Sequence, residues 1–386
     1  MKITLHGGRV LDPASGFDAI ADVVVDDGLI IAVGPTAGAE HPDAELVDCT
    51  GMLVTPGLID LHAHVMPGLG DFCVSADSVG VDQGVPTVVD GGTSGVATFD
   101  LARMAVVDHP STRTRVLCFI DPNQLYLATK DFICHKLEIA NDLRNLDEES
   151  LAASLERNAD IIVGLKVRAC HVGDDQVSPF LTAAQRAGGE LPIMVHLGRF
   201  PHTATMTTPA LLRQLRSGDI ITHAFRGGGG LLDYQGGVTG EFRDAVDRGV
   251  RLDIGHSGTD FRFREARRLF DLGYLPDTIS TDLNVFNIGG PVYSLTETMS
   301  KVWAMGVDLV DVVAMVTSNT ATSIRRTAEL GALAIGRTAE ISVLRIDEGE
   351  FSLSDGFETL EVERRIAAEG CVRAGEWMPA RSSVPA

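Results

Sequence analysis

Val54-Thr55-Pro56-Gly57-Leu58-Ile59-Asp60-Leu61-His62-Ala63-His64 is a short apolar run that ends in two histidines one residue apart. Residues two apart in an extended strand point to the same side. His62 and His64 can therefore share one metal while Ala63 faces away. A His-x-His pair standing alone is equally an ordinary strand that happens to carry two histidines. The remainder of the chain separates the two readings.

From Val54 onward, short apolar runs alternate with segments of helical period. The strand-like runs are Val85 to Val89, Arg115 to Ile120, Ile161 to Val167, Pro192 to Val195, Ile220 to Thr222, Arg251 to Ile254 and Thr278 to Ser280. Between them lie candidate helices at Glu149 to Asn158, Val177 to Ala187, Pro209 to Ser217, Glu241 to Arg248 and Arg262 to Leu272. Strands alternating with helices imply a parallel sheet. These seven strands and the one that feeds His62 predict an α/β fold, a (β/α)8 TIM-like barrel. The two chain ends read differently. Lys2 to Leu5, Asp22 to Val25, Leu29 to Val33, Glu340 to Ile346 and Glu361 to Cys371 are strand-like and broken by Gly, Asp and Pro. The expected organisation is a small β-sandwich domain built from residues 1–55 and 332–386, flanking a metal-binding barrel over 56–331.

In a parallel barrel the C-terminal strand ends converge on one mouth, where active sites sit. Several predicted strands end in, or lead into, a metal-competent side chain. Lys166 closes the apolar run Ile161 to Lys166, His196 ends Pro192 to His196, His223 ends Ile220 to His223, and Asp282 follows Thr278 to Thr281. Imidazoles with one carboxylate suit Zn²⁺. Asp282 can bind a metal and also take a proton, as a general base must. Lys166 has two readings. A buried ammonium is costly, so its head either reaches solvent or an acid, or it is depressed in pKa enough to react with CO₂. The resulting carbamate has two oxygens and could bridge two metals.

Bulk composition fits this reading. The chain has 386 residues, of which 45% are apolar and 22% charged, enough for a large core and against wholesale disorder. Lys and Arg total 32 against 53 Asp and Glu, for a net charge of −21. Such a chain repels nucleic acid and anionic membranes, so neither is an expected partner. No run of about 18 apolar residues appears. The N-terminus, Met1-Lys2-Ile3-Thr4-Leu5, has no basic region leading into an apolar segment. Cys49, Cys73, Cys118, Cys134, Cys170 and Cys371 are scattered with no C-x-x-C, which favours a reducing cytoplasm. Gly91, Gly92 and Gly95 follow a strand without forming a nucleotide-binding loop. Cys170-His171, His135 and His256 are expected to be structural.

Taken together these residues resemble the amidohydrolase superfamily, which contains dihydroorotase, hydantoinase, D-aminoacylase and urease. Thr55 to His64 is similar to its first-strand signature and Gly84 to Asp90 to its next strand. Asn319-Thr320-Ala321 and Leu333 to Leu344 are similar to its closing segment. The resemblance implies that His62, His64 and Asp282 bind one metal, that His196 and His223 bind a second, and that a carbamylated Lys166 bridges them. It implies two Zn²⁺ per chain, a homo-oligomer, and cleavage of an amide or ester of a small molecule by a hydroxide bridging the metals. Asp90 to Gly95 and His223 to Gly227 resemble a dihydroorotase-like or deacetylase branch, some of whose members are similar to acetyl-mandelate deacetylase. The expected substrate is accordingly an acetylated or otherwise acylated carboxylic acid. The alternatives are a cyclic amidohydrolase of the dihydroorotase or hydantoinase type and a non-catalytic barrel. The arginine that dihydroorotase carries close behind its first histidine pair is absent, since His64 is followed by Val65-Met66-Pro67-Gly68-Leu69-Gly70. Arg226, directly after a ligand strand, is either a carboxylate clamp or a loop arginine with a salt-bridge partner. Arg168 could reach the same cleft but reads as structural. Asn284 and Tyr293, on the loop after Asp282, are candidate pocket-lining residues.

Overall fold

The computed structural model describes residues 2–125, 142–168, 176–198 and 206–381. Its central sheet has seven strands among the described residues: Ile59–Ala63, Thr87–Gly95, Arg115–Asp121, Ile162–Arg168, Ile193–His196, Ile220–Thr222 and Arg251–Leu252. They are hydrogen-bonded in chain order and every pair is parallel. Helices Glu148–Arg157, Pro179–Gly188, Thr208–Gln214, Gly240–Asp247 and Phe263–Asp271 alternate with the later strands, close to the predicted positions. Their starts carry ordinary signals. Asp147, Ser178 and Thr239 cap free backbone N–H groups, and Pro179 sits at the first helical position.

One expected element differs. The eighth predicted strand, Thr278 to Ser280, makes only isolated parallel bridges, Asp253 with Thr278 and, just beyond it, Ala63 with Leu283. The sheet is therefore a curled seven-stranded ladder, not a closed eight-stranded one. Two features stop this segment from laddering. Asp282 has a left-handed backbone, φ +55°. The backbone N–H of Thr281 is also diverted to the Asp60 carboxylate at 3.1 Å, and the hydroxyls of Thr278, Ser280 and Thr281 bond the buried carboxylates of Asp253 and Asp60. The segment still spans the gap. Ile254 N donates to Thr278 O, and Asp282 N donates to His62 O at 2.6 Å.

The strands of the two chain ends form one continuous eight-stranded sheet, rather than the two sheets a sandwich requires. Leu53–Pro56 pairs antiparallel with Ile341–Ser354, joining the ends. Its apolar core is separate, with Ile3, Leu5, Val23, Ile341 and Val343 among its members. Ser342 ties this sheet to the central one. Its Oγ accepts from Leu58 N at 3.0 Å and donates to Gly84 O at 2.7 Å. The strand leading into His62 is thus anchored at its root.

Inside the curl, side chains from successive strands pack together. Ile59, Leu117, Phe119, Met194 and Ile220 meet Ala321 and Ile324 there. Phe119 is fully buried against Gly164, where even a methyl group would come within 2.5 Å of its ring. Among the described residues no helix is long and apolar enough to cross a membrane. Phe119→Ala removes a ring that close-packed neighbours cannot replace, and should cost about 3–5 kcal/mol of stability. Denaturant unfolding checks this, and a loss below about 1 kcal/mol would mean the interior is not packed as described.

Candidate metal centre

The predicted ligands arrive from four strand ends and from the segment after Arg251–Leu252 that carries Asp282. His62 lies within Ile59–Ala63 and His64 one residue past it. Lys166 is near the end of Ile162–Arg168, and His196 is the last residue of its strand. His223 and Asp282 both take left-handed backbone, φ +65° and +55°. Such a conformation costs a residue with a side chain about 1–3 kcal/mol and concentrates at functional sites. All six groups are brought together. Asp282 Oδ1 is 3.0 Å from His64 Nε2 and 3.4 Å from His62 Nε2, and its Oδ2 is 4.0 Å from His223 Nε2. Lys166 Nζ is 3.0 Å from His62 Nε2. The rings of His196 and His223 are 4.5 Å apart, and those of His62 and His223 5.4 Å. Ligand atoms of His62, His64 and Asp282 lie within 4.8 Å of one another, a candidate metal site.

The donor set suits a cation. The outer nitrogens of three histidines are engaged by neighbouring oxygens: His62 Nδ1 by Thr222 Oγ1 at 3.1 Å, His64 Nδ1 by Thr93 Oγ1 at 2.8 Å and His223 Nδ1 by Gly255 O at 2.6 Å. The inner Nε2 atoms point at Asp282. Oδ1 of that carboxylate is buried and has no hydrogen-bond donor. Buried oxygens without donors are uncommon, and a divalent metal between Oδ1 and the Nε2 atoms would satisfy it.

Electrostatics point the same way. Burial, followed by the charge of Lys166, holds His62 well below its ordinary pKa. Burial and the neighbouring His223 do the same for His196. Both are therefore neutral imidazoles, the ligating form. Burial, followed by the nearby Arg168 guanidinium, pulls the Lys166 amine down to about 7 from 10.5. Its nitrogen is wedged between His62 and Met194 Sδ, 3.3 Å away. Arg168 itself forms a buried pair with Asp121 at 2.6 Å, a structural contact.

The candidate substrate contacts occupy different settings. Arg226 donates to Leu197 O at 2.8 Å and pairs with Asp260 at 3.0 Å. It lies across bare Gly198, beside His196. Asn284 donates to Asp282 O at 2.8 Å, so it shapes the loop that presents the carboxylate. Tyr293 stands further along that loop, its carbonyl accepting from Gln83 at 3.2 Å. His256 is buried against Lys301 Nζ at 3.1 Å, a structural contact. Cys170-His171 and His135 fall outside the described residues.

Several supporting residues escape a linear reading. A methyl group on Gly91 would stand 2.1 Å from His62 Cδ2, and one on Gly92 2.3 Å from Lys166 Cβ. These two glycines are the space that the ring and the lysine stem occupy. Their signal is present as the Asp90-Gly91-Gly92-Thr93 run, but only the fold shows what packs on them.

Known proteins resemble the chain over most of its length. The chain is 33% identical over 334 residues to a protein named deacetylase Atu3266 from Agrobacterium fabrum, covering 85% of this chain and 79% of that one. It is 32% identical over 350 residues to a deacetylase from Brucella anthropi, covering 88% and 82%. Among solved structures, a dihydroorotase superposes with a TM-score of 0.85 at 28% identity over 98% of both chains. An adenine deaminase superposes at 0.84 with 25% identity, covering 98% of this chain and 99% of that one. No family model matches the sequence. The chain belongs to the amidohydrolase superfamily and is a hydrolase of that group.

Gly91→Ala adds no backbone strain, because Gly91 is not among the residues with left-handed backbone, so its clash falls on the His62 ring. The displaced His62 ring should weaken the affinity of the candidate site for a divalent metal by about tenfold or more in chelator competition. Unchanged affinity would show that the ring has room to spare.

Proposed function

We propose that this protein is a metal-dependent deacetylase-type hydrolase, cleaving the amide or ester bond of a small N-acyl or O-acyl carboxylic acid. The observation that carries the reading is the meeting of His62, His64 and the donor-free Asp282 oxygen at one buried point. In this reading His62, His64 and Asp282 hold one Zn²⁺, and His196 and His223 hold a second. Lys166, with an amine pKa near 7, is largely neutral at slightly alkaline pH and can add to CO₂. Its carbamate oxygens would bridge the pair. Bound zinc supplies an acidified water and a polarised scissile carbonyl. Asp282 receives the proton of the attacking water on its carboxylate and passes it to the departing nitrogen or oxygen. An amine needs that proton more than an alkoxide does, so one residue serves either bond. The left-handed backbone of Asp282, held by Asn284 and Asn287 on its carbonyl, fixes the carboxylate for this transfer.

The names of the two deacetylase relatives support the acyl-carboxylate class. A carboxylate on the substrate needs a cation, and Arg226 beside His196 is the candidate, released from Asp260 when substrate arrives. The second reading, a cyclic amidohydrolase, is favoured by the dihydroorotase neighbour. The Val65 to Gly70 segment lacks the arginine that the resemblance to dihydroorotase would require.

Elemental analysis of purified protein should find about two zinc per chain. A panel of N-acetyl amino acids, acetylated α-hydroxy acids, hydantoins and dihydroorotate should give turnover in an acetylated class. Turnover of dihydroorotate alone would select the second reading, and absence of metal after growth with zinc and bicarbonate would contradict both. Asp282→Asn should lower kcat by about 10²–10⁴-fold with the fold retained. Near wild-type turnover would remove Asp282 from its role.

A further inference from the structure

We infer that two buried carboxylates, Asp253 and Asp90, act through threonine hydroxyls as positioning residues that fix which nitrogen of His62 and His64 carries the proton. Counting hydrogens leads there. Asp253 is fully buried and accepts three hydroxyls at 2.7 Å: Thr222, Thr278 and Ser280. Thr222 has one hydroxyl hydrogen and gives it to Asp253. Its oxygen can then only accept, and the atom facing it at 3.1 Å is His62 Nδ1. His62 must therefore carry its proton on Nδ1, leaving the Nε2 lone pair for the metal.

The same wiring recurs on the other histidine from different elements. Thr93 donates its hydroxyl to Asp90 Oδ2 at 2.8 Å, and its oxygen faces His64 Nδ1 at 2.8 Å. Asp90 is held in turn by backbone N–H groups, from Thr93 at 2.8 Å and Val65 at 3.0 Å. Both histidines of the pair thus sit at the end of a carboxylate–threonine relay of fixed polarity. Three hydroxyls converge on Asp253, and two backbone N–H groups and one hydroxyl converge on Asp90, so each carboxylate accepts along its relay and the polarity is set by those donors. Asparagine can reverse it. The Asn amide would donate to the threonine oxygen, the threonine would donate to Nδ1, and the histidine would move its proton to Nε2, against the metal. An asparagine placed behind a catalytic histidine leaves geometry intact and disables it through the wrong tautomer in the Ser-His-Asp triad.

The relay rests on the metal-binding reading above only for its effect on affinity, since the tautomer itself can be read without metal. The test uses full-length protein labelled with ¹⁵N-histidine, stripped of metal, with long-range ¹H–¹⁵N correlation spectra and zinc affinity by chelator competition. Wild type should show Nδ1–H at His62 and His64. Asp253→Asn should move His62 alone to Nε2–H, and Asp90→Asn should move His64 alone. Each should weaken zinc binding by about 10–100-fold. Thr222→Val should weaken binding similarly, and Thr222→Ser, which keeps the hydroxyl, should restore it. If a carboxylate variant fails to fold, the valine and serine pair carries the test. An Nδ1 without hydrogen at either ring in wild type would overturn the relay, as would zinc affinity within about twofold of wild type in Thr222→Val and Thr93→Val. Nδ1–H in a wild type that binds no zinc would uphold the relay and count instead against the metal-dependent function.

Discussion

Everything at this site depends on an unfavourable meeting of like groups. A buried carboxylate oxygen of Asp282 and the inner nitrogens of His64 and His62 are held 3.0 and 3.4 Å apart. In the tautomer inferred above, with the imidazole protons on the outer nitrogens, lone pairs face the oxygen. In a water-excluded setting such an arrangement repels, and a cation turns it into binding. The rest of the structure keeps those groups from moving apart. Ser342 roots the strand of His62, bare glycines make room for its ring, and hydrogen bonds from Asp282 to His62 and from His64 to Leu283 lock the segment carrying the carboxylate.

That rigidity explains why local rules are broken here. His223 and Asp282 adopt left-handed backbone, and the eighth segment gives up ladder pairing. Its backbone is held instead by Thr281 N on Asp60 and Asp282 N on His62 O, and the hydroxyls of Thr278, Ser280 and Thr281 bond Asp253 and Asp60. These serve a second purpose, because Asp253 also reaches His62 through Thr222. The element that departs most from ideal barrel geometry is thus the one most closely wired to the candidate metal centre.

Much of this is legible in the sequence, for a specific reason. Strand ends in a parallel sheet converge whatever their separation in the chain, so reading His62, His64, Lys166, His196, His223 and Asp282 requires only the strand periodicity. The helices between them fall close to where their period places them. What escapes depends on partners distant in sequence. Nothing local marks Asp253 as the acceptor for Thr222, since the two meet only across neighbouring strands. Arg226 reads equally as a clamp or as a paired loop arginine, and its partners Asp260 and Leu197 appear only in the fold. The loss of the eighth ladder strand comes from the left-handed Asp282 and a backbone N–H given to Asp60, which no apolar pattern encodes. The terminal strands are legible individually, but their union in one sheet is not.

The central claim is that a metal sits where the Nε2 atoms of His62 and His64 meet Asp282. Anomalous diffraction at the zinc edge, on crystals grown with zinc and bicarbonate, tests it most directly. A peak bonded to His62 Nε2, His64 Nε2 and an Asp282 oxygen is the predicted result. A peak elsewhere, or none at this point in protein that is catalytically active, would contradict it.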